Sequence, residues 1–189
     1  MNRIGILGDI GSGKSYLANN LGFPVFDADY EVEKLYKKDK KIFLKLKKIL
    51  PNNIKSFPIE KKEIVEAILQ KKGNLKKIIK IVHTEIRKKM KLFLEKNKNK
   101  KFVVLDVPLL LESKLNKKGD VLIFVNSKKT DILKKIKKRK NFNKKLFNKF
   151  KKIQFSPRYK MKKSHFIIKN DFTKKTINSN IKDILKKLN

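Results

Sequence analysis

The chain has no cysteine, only two histidines and three alanines, and its basic side chains are almost all lysine, with four arginines (Arg3, Arg87, Arg139 and Arg158). Without cysteine there are no disulfides, thiolate zinc sites or cysteine nucleophiles, and two histidines leave a carboxylate-rich metal site as the plausible kind, with Mg²⁺ the expected ion. No apolar run approaches the roughly 18 residues that span a bilayer. The N-terminus enters Ile4-Gly5-Ile6-Leu7 without a signal-peptide core, so the expected location is cytoplasmic, with no membrane partner. Acidic residues are scarce as well: 17 against 52 Lys and Arg, a net charge of +35 over 189 residues. Such a charge invites a nucleic-acid reading. The lysines, however, are spread over nearly every helix-like segment, alongside abundant Asn, Ile and Phe. That breadth has the look of a proteome-wide residue bias, and nucleic acid is the less favoured partner. With 40% hydrophobic residues in periodic runs, the chain can bury a core.

Several runs are apolar throughout and end in turn residues, the mark of parallel strands covered on both faces. They are residues 3–8, 24–27, 102–107, 121–125 and 165–168. A helix is expected from Lys14 to Leu21, with Gly22 just past its end. Residues from about Asp29 to Asn99 carry helical periodicity with no strand, as do residues 129–153, which break near Asn141 to Asn143 and stop at Ser156-Pro157. A closing amphipathic helix holds Ile177, Ile181, Ile184 and Leu188. Strands alternating with helices predict a parallel α/β sheet with a helical insertion between its second and third strands.

Gly8-Asp9-Ile10-Gly11-Ser12-Gly13-Lys14-Ser15 fits G-x-x-x-x-G-K-[ST] and lies between an expected strand and an expected helix. Glycines in such a loop turn successive backbone N–H groups inward as an anion nest, and the helix dipole adds to the same potential. Lys14 is expected to bridge the β- and γ-phosphates of ATP, and the Ser15 hydroxyl to join the Mg²⁺ shell. Asp9 is the discordant residue of the loop, since an inward carboxylate would repel phosphate. It is expected to face solvent or a lysine.

Asp27-Ala28-Asp29 follows the second strand, at the sheet end where ligands sit in such folds. One carboxylate can take a proton from a substrate hydroxyl while the other serves Mg²⁺ or caps a helix, and both can equally be turn residues. Asp106 ends an apolar strand, the arrangement that puts a carboxylate near the metal's waters. Arg139 and Arg158 stand out because only a guanidinium offers a planar fork to a phosphoryl group, although either can be an ordinary surface charge. His83 lies on an apolar helix face, with Arg87 one turn on. A packed histidine and a ligand contact are both open there.

Taken in order, Ile10 to Ser15, Pro24-Val-Phe-Asp-Ala-Asp29, His83-Thr-Glu-Ile-Arg87, Asp106-Val-Pro-Leu-Leu-Leu-Glu112, Arg139 and Gln154 resemble the dephospho-CoA kinase family, and they span nearly the whole chain. The resemblance implies a P-loop NTPase-type three-layer α/β sandwich with a five-stranded parallel sheet. Its core would be residues 1–30 and 100–189, its acceptor-binding insertion about 31–99 and its lid about 139–158. It implies phosphorylation of the 3′-hydroxyl of dephospho-CoA by ATP with Mg²⁺, in a monomer or weak homo-oligomer. Asp29 would be the base, Arg139 would stabilise the phosphoryl group in flight, and Gly11, Ser12, Gly13, Lys14, Ser15 and Tyr16 would hold ATP. Asp27, His83 and Arg87 would meet the acceptor, and Ser15 and Asp106, the latter through water, the metal. The chain departs from the family pattern at Asp9 (usually Gly), Tyr16 (Thr), Glu33 (basic or His) and Thr84 (Pro). Rival readings are another P-loop small-molecule or nucleoside kinase, a nucleic-acid-binding P-loop ATPase, and a module that binds ATP without turnover.

Overall fold

Apolar runs without polar alternation need cover on both faces, and a parallel sheet between helix layers supplies it. In the computed structural model, which describes residues 1–140 and 142–188, β1 (Asn2–Gly8), β2 (Val25–Asp27), β3 (Phe102–Asp106), β4 (Val121–Asn126) and β5 (Phe166–Lys169) form one sheet in the order β2-β3-β1-β4-β5. Every pairing is parallel, with Gly5 opposite Leu105, Gly8 opposite Val125, Asp27 opposite Asp106 and Val125 opposite Ile168. The chain leaves β1 toward one edge of the sheet and returns from β3 across β1 to β4. The carboxyl end of β1 is therefore a switch point, where such sheets bind ligands.

One face of the sheet packs Ile4, Ile6 and Ile168 against α1 (Lys14–Asn20) and α9 (Lys174–Leu188), through Leu17, Leu21, Ile177 and Ile181. The other face, with Leu7, Phe26, Leu105 and Phe124, continues into the core of the helices between β2 and β3. Those helices are α2 (Ala28–Lys38), α3 (Lys40–Ile49), α4 (Lys61–Gln70) and α5 (Asn74–Lys96). The helical periodicity expected from about Asp29 is broken at Asp39, because its carboxylate accepts the Ile42 N–H at 3.0 Å and starts α3 as α2 ends. Gly73, in the left-handed region, separates α4 from α5, and the Asn74 side chain donates to the Ala67 carbonyl at 2.8 Å. The scarce acids bridge these helices: Glu31 of α2 pairs with Lys89 of α5 at 3.1 Å and Glu85 of α5 with Lys45 of α3 at 3.4 Å.

After β4 come α6 (Lys129–Lys137), α7 (Lys144–Ile153) and α8 (Pro157–Lys163). The expected break between α6 and α7 is present at Phe142 and Asn143, and Asn143 caps α7 by accepting the Leu146 N–H; Asn141 lies outside the described residues. α8 corrects the sequence reading. Ser156-Pro157 ends one helix, as expected, but it also starts another, since Ser156 Oγ accepts the Tyr159 N–H at 3.2 Å and Pro157 occupies the first helical position. β5 begins at Phe166, one residue later than expected, and the N–H of His165 bonds the Leu122 carbonyl. Among the described residues no helix is long and apolar enough to cross a membrane.

Candidate active site

β1 delivers the chain into the loop from Gly8 to Ser15, and α1 opens immediately after it. Gly13 is held at φ 96°, where an L side chain is strained, and a β-carbon there would stand 2.4 Å from Asn170 Nδ2. The close approach has a purpose. Asn170 Nδ2 and Ser127 Oγ both donate to the Ser12 carbonyl, at 2.8 and 2.9 Å, so two buried or half-buried side chains turn that peptide outward. Asn170 Oδ1 also accepts the Phe172 N–H, joining the loop after β5 to the phosphate loop. α6 closes over the same loop, with Ile136 against Gly11.

Lys14 folds back over the loop, donating to the Asp9 carbonyl at 2.8 Å and the Gly8 carbonyl at 3.3 Å. Burial lowers its pKa to about 8 and Lys160 adds to the lowering, while Asp106, Asp29 and Asp9 oppose it. Asp9 thus meets a lysine through its backbone, and its side chain lines a cleft of about 320 Å³ with Ile10, Gln154 and Phe155. Tyr16 is exposed on the first turn of α1.

Asp106 and Asp27 end neighbouring strands side by side, and Asp29 follows in the first turn of α2. Burial pushes the Asp29 pKa up, the Asp106 and Asp27 carboxylates push it further, and Lys14 and Lys61 draw it back. Asp29 as a residue is exposed to solvent, while protein atoms crowd its carboxyl group. Asp106 is likewise raised by burial, and a hydrogen bond from Ser15 works in the opposite direction. Asp27 spends one oxygen on capping α2, accepting the Tyr30 N–H at 2.9 Å. Of the roles open for this pair of carboxylates, capping belongs to Asp27, which leaves both oxygens of Asp29 free of the helix start.

Asp29 stands at the edge of an apolar cavity of about 160 Å³ walled by Val32, Tyr36, Ile78, His83, Pro108 and Phe150. His83 Nδ1 is 3.0 Å from Ser113 Oγ, and Arg87 donates to the Ser113 carbonyl, so both residues are tied to the segment after β3. Burial, then Arg87, hold His83 below the usual imidazole range and neutral at pH 7. Phe150 belongs to α7, whose Lys149 donates to the Ile68 and Leu69 carbonyls at the end of α4. The helix α7 therefore roofs the cavity beside Asp29.

Arg139, just past α6, is exposed, and its side chain makes no hydrogen bond or ion pair to a described residue. Arg158 is exposed too. The basic group that α8 carries inward is Lys160, 1% exposed and 2.9 Å from Glu112. Lys160, Ser127 and Asn170 are the site's neighbours that sequence reading missed, and Glu112 entered it only as the end of a motif, with no role.

Among the described residues no three His, Asp or Glu form a metal cage. Ser15 and Asp106, an adjacent pair of hard oxygen donors, fit a Mg²⁺ held mostly by phosphate and water.

A phosphate loop, a carboxylate strand end and an apolar cavity beside the helices between β2 and β3 set the context for the comparison with known proteins. The dephospho-CoA kinase family profile matches residues 2–176. The chain belongs to that family. A dephospho-CoA kinase from Wolbachia pipientis is 35% identical over 191 residues, covering 98% of this chain and 97% of its own. Among solved structures, TT1252 of Thermus thermophilus superposes with a TM-score of 0.74 at 22% identity, covering 100% of this chain and 98% of its own. The dephospho-CoA kinase of Campylobacter jejuni gives 0.64 at 24%, covering 99% and 97%. Both likenesses speak for the α/β fold with its parallel five-stranded sheet. As a P-loop kinase of this family, the protein uses ATP on a small-molecule acceptor. Two of the departures from the family pattern lie on exposed helix faces: Glu33 pairs with Lys37 at 2.6 Å, and Thr84 Oγ1 donates to the Lys80 carbonyl.

Proposed function

We propose that this protein transfers the γ-phosphoryl group of ATP to the 3′-hydroxyl of dephospho-CoA, giving CoA and ADP, and that Asp29 is the base. The observation that carries this reading is a carboxylate with raised proton affinity, beside Lys14, at the edge of an apolar cavity suited to a long acceptor. The acceptor oxygen attacks the γ-phosphorus as the bond to the β-phosphate oxygen breaks. Its proton passes to Asp29, and ADP leaves.

The loop amides from Gly11 to Tyr16 and the Lys14 ammonium hold the phosphates. Such transfers depend on positioning and charge stabilisation, and Arg139, swung in from the lid, would supply the planar cation. Asp27 orients Asp29 through the start of α2, and His83 and Arg87 line the acceptor side. Ser15, with Asp106 through water, would hold Mg²⁺, which neutralises charge on the β- and γ-phosphates when bound. The division into core, insertion 31–99 and lid 139–158 follows the same roles, in a cytoplasmic monomer or weak homo-oligomer.

The test is a coupled ADP-release assay with dephospho-CoA, with the product's mass measured. Wild type should add one phosphate, and Asp29→Asn should lower kcat by about 10²-fold or more while both KM values hold. Equal turnover by Asp29→Asn would remove the base assignment; no phosphate gain by wild type would remove the reaction.

A further inference from the structure

The lid must be anchored at both ends to place anything over the phosphate loop, and its trailing end, after α7, has a specific anchor. Glu112, at the end of the segment that follows Asp106, has a side chain only 9% exposed. Its Oε1 accepts two bonds, from the Phe155 N–H at 2.8 Å and from Lys160 Nζ at 2.9 Å. Beside it, Gln154 Nε2 reaches the Pro108 carbonyl at 3.4 Å. Two consecutive residues at the lid's exit are thus fastened to the segment that walls the acceptor cavity. The pair is not a gain in stability by default. Burying both charges costs several kcal/mol, and here Glu112 Oε2 is buried with no partner, so the desolvation is incompletely offset. An apolar pair of the same volume would fold at least as well, and its retention needs another reason. Lys160 supplies one, because its charge acts on Lys14 at the phosphate loop.

We infer that the buried Glu112–Lys160 pair is a positioning element of the transfer site: it clamps the lid's exit at Phe155 to the acceptor wall, so that the closed lid holds ATP for the acceptor and not for water. The inference rests on the kinase reading above. Glu112 and Lys160 act through the lid and touch neither substrate.

The experiment compares wild type with Glu112→Leu, Glu112→Gln, Lys160→Met and the double exchange Glu112→Lys/Lys160→Glu. Three quantities are read: kcat and both KM values, ADP released per CoA formed, and hydrogen exchange of residues 142–160 with a non-hydrolysable ATP analogue. Glu112→Leu should lower kcat about 10- to 100-fold, the scale of a displacement of about 1 Å. It should raise ADP per CoA several-fold and lose protection over 142–160, while KM for ATP moves less than threefold. Glu112→Gln keeps an oxygen for the Phe155 N–H and should lie between. The exchanged pair restores opposite charge but offers Phe155 no acceptor, so it should stay defective. Glu112→Leu with wild-type kcat, coupling and lid protection would overturn the inference, as would full recovery in the exchanged pair. Should Glu112→Leu fail to fold, Glu112→Gln decides by the same readings. The exchange measurement needs no turnover, so a wild type inactive on dephospho-CoA would refute the reaction and leave the clamp still open to test.

Discussion

Replacing Gly13 by alanine separates two costs that the structure places at one residue. The first is backbone strain: at φ 96° an L residue costs about 1–2 kcal/mol. The second is contact. The new methyl group would lie 2.4 Å from Asn170 Nδ2, a buried amide that cannot retreat without leaving the Ser12 carbonyl, to which it donates at 2.8 Å. Breaking that bond and stranding a buried donor costs about 1–3 kcal/mol more. The Ser12 carbonyl keeps its second bond, from Ser127, so the loop is loosened without being released. The sum for Gly13→Ala is about 2–5 kcal/mol. Gly22→Ala is the control, because Gly22 has φ 78° with nothing within 4 Å of the added carbon. It should cost only the strain, about 1–2 kcal/mol. Urea denaturation of both variants gives the stability difference, and calorimetric ATP titration gives its functional share. Since 1.4 kcal/mol is tenfold in affinity, ATP should bind Gly13→Ala at least about tenfold more weakly and Gly22→Ala as wild type. Equal stabilities of the two variants, or unimpaired ATP binding by Gly13→Ala, would refute the view that Asn170 braces the loop.

Two further predictions concern charge. With a Lys14 pKa of about 8, the side chain is cationic below that pH and neutral above it, so ATP affinity should decline as pH rises from 8 to 9.5. Binding at pH 8.5 should draw in a proton, seen as unequal apparent enthalpies in buffers of different ionisation heat; equal enthalpies would refute it. Arg3 and Asp120 form a buried pair at 2.9 Å, with Arg3 also donating to the Leu115 carbonyl. Asp120→Ala should therefore cost about 3–5 kcal/mol in urea denaturation, because it leaves a buried guanidinium unpaired. Arg3→Met with Asp120→Leu should recover most of that loss, and a single-variant cost under about 1 kcal/mol would refute the pair's desolvation.

The strands and the phosphate loop were legible because their signals are local. Residues 102–105 are apolar and buried on both faces, and the glycine spacing of the loop admits few other structures. The break at Asp39 was carried by a one-residue cap inside an otherwise unbroken periodicity. α8 was hidden for a related reason: Ser-Pro stops and starts helices with the same two residues, and seven residues are too few for a period to show. Lys160 and Asn170 were invisible for a different one. Each is a common residue in a chain crowded with its kind, and its importance lies in being buried against a partner far away in sequence, Glu112 or Ser12. Rarity drew attention to Arg158 instead, two residues before Lys160 and exposed. Asp27 and Asp29 could be paired by sequence, but that Asp27 is the one that caps α2 is visible only in the hydrogen bond from Tyr30.

The chain's charge of +35 and its acidic centre are compatible because they act over different ranges. Exposed lysines sit in water and salt, where at physiological ionic strength their fields decay over about 8 Å. They can steer polyanions such as ATP and an acyl-carrier nucleotide toward the surface, which is a matter of encounter rate. They do little to the proton affinity of Asp29. That is set first by burial, then by Asp106 and Asp27 raising it and by Lys14 and Lys61 lowering it. If the surface governed the site, a carboxylate in so basic a protein would be held ionised and weakly basic. Instead three of the 17 acidic residues converge beside the phosphate loop, where Asp106 and Asp27 raise the proton affinity of Asp29 and Asp27 raises that of Asp106. Lys14 experiences the converse, its charge disfavoured by burial and by Lys160, so that incoming phosphate adds to the counter-charge that Asp106, Asp29 and Asp9 already supply.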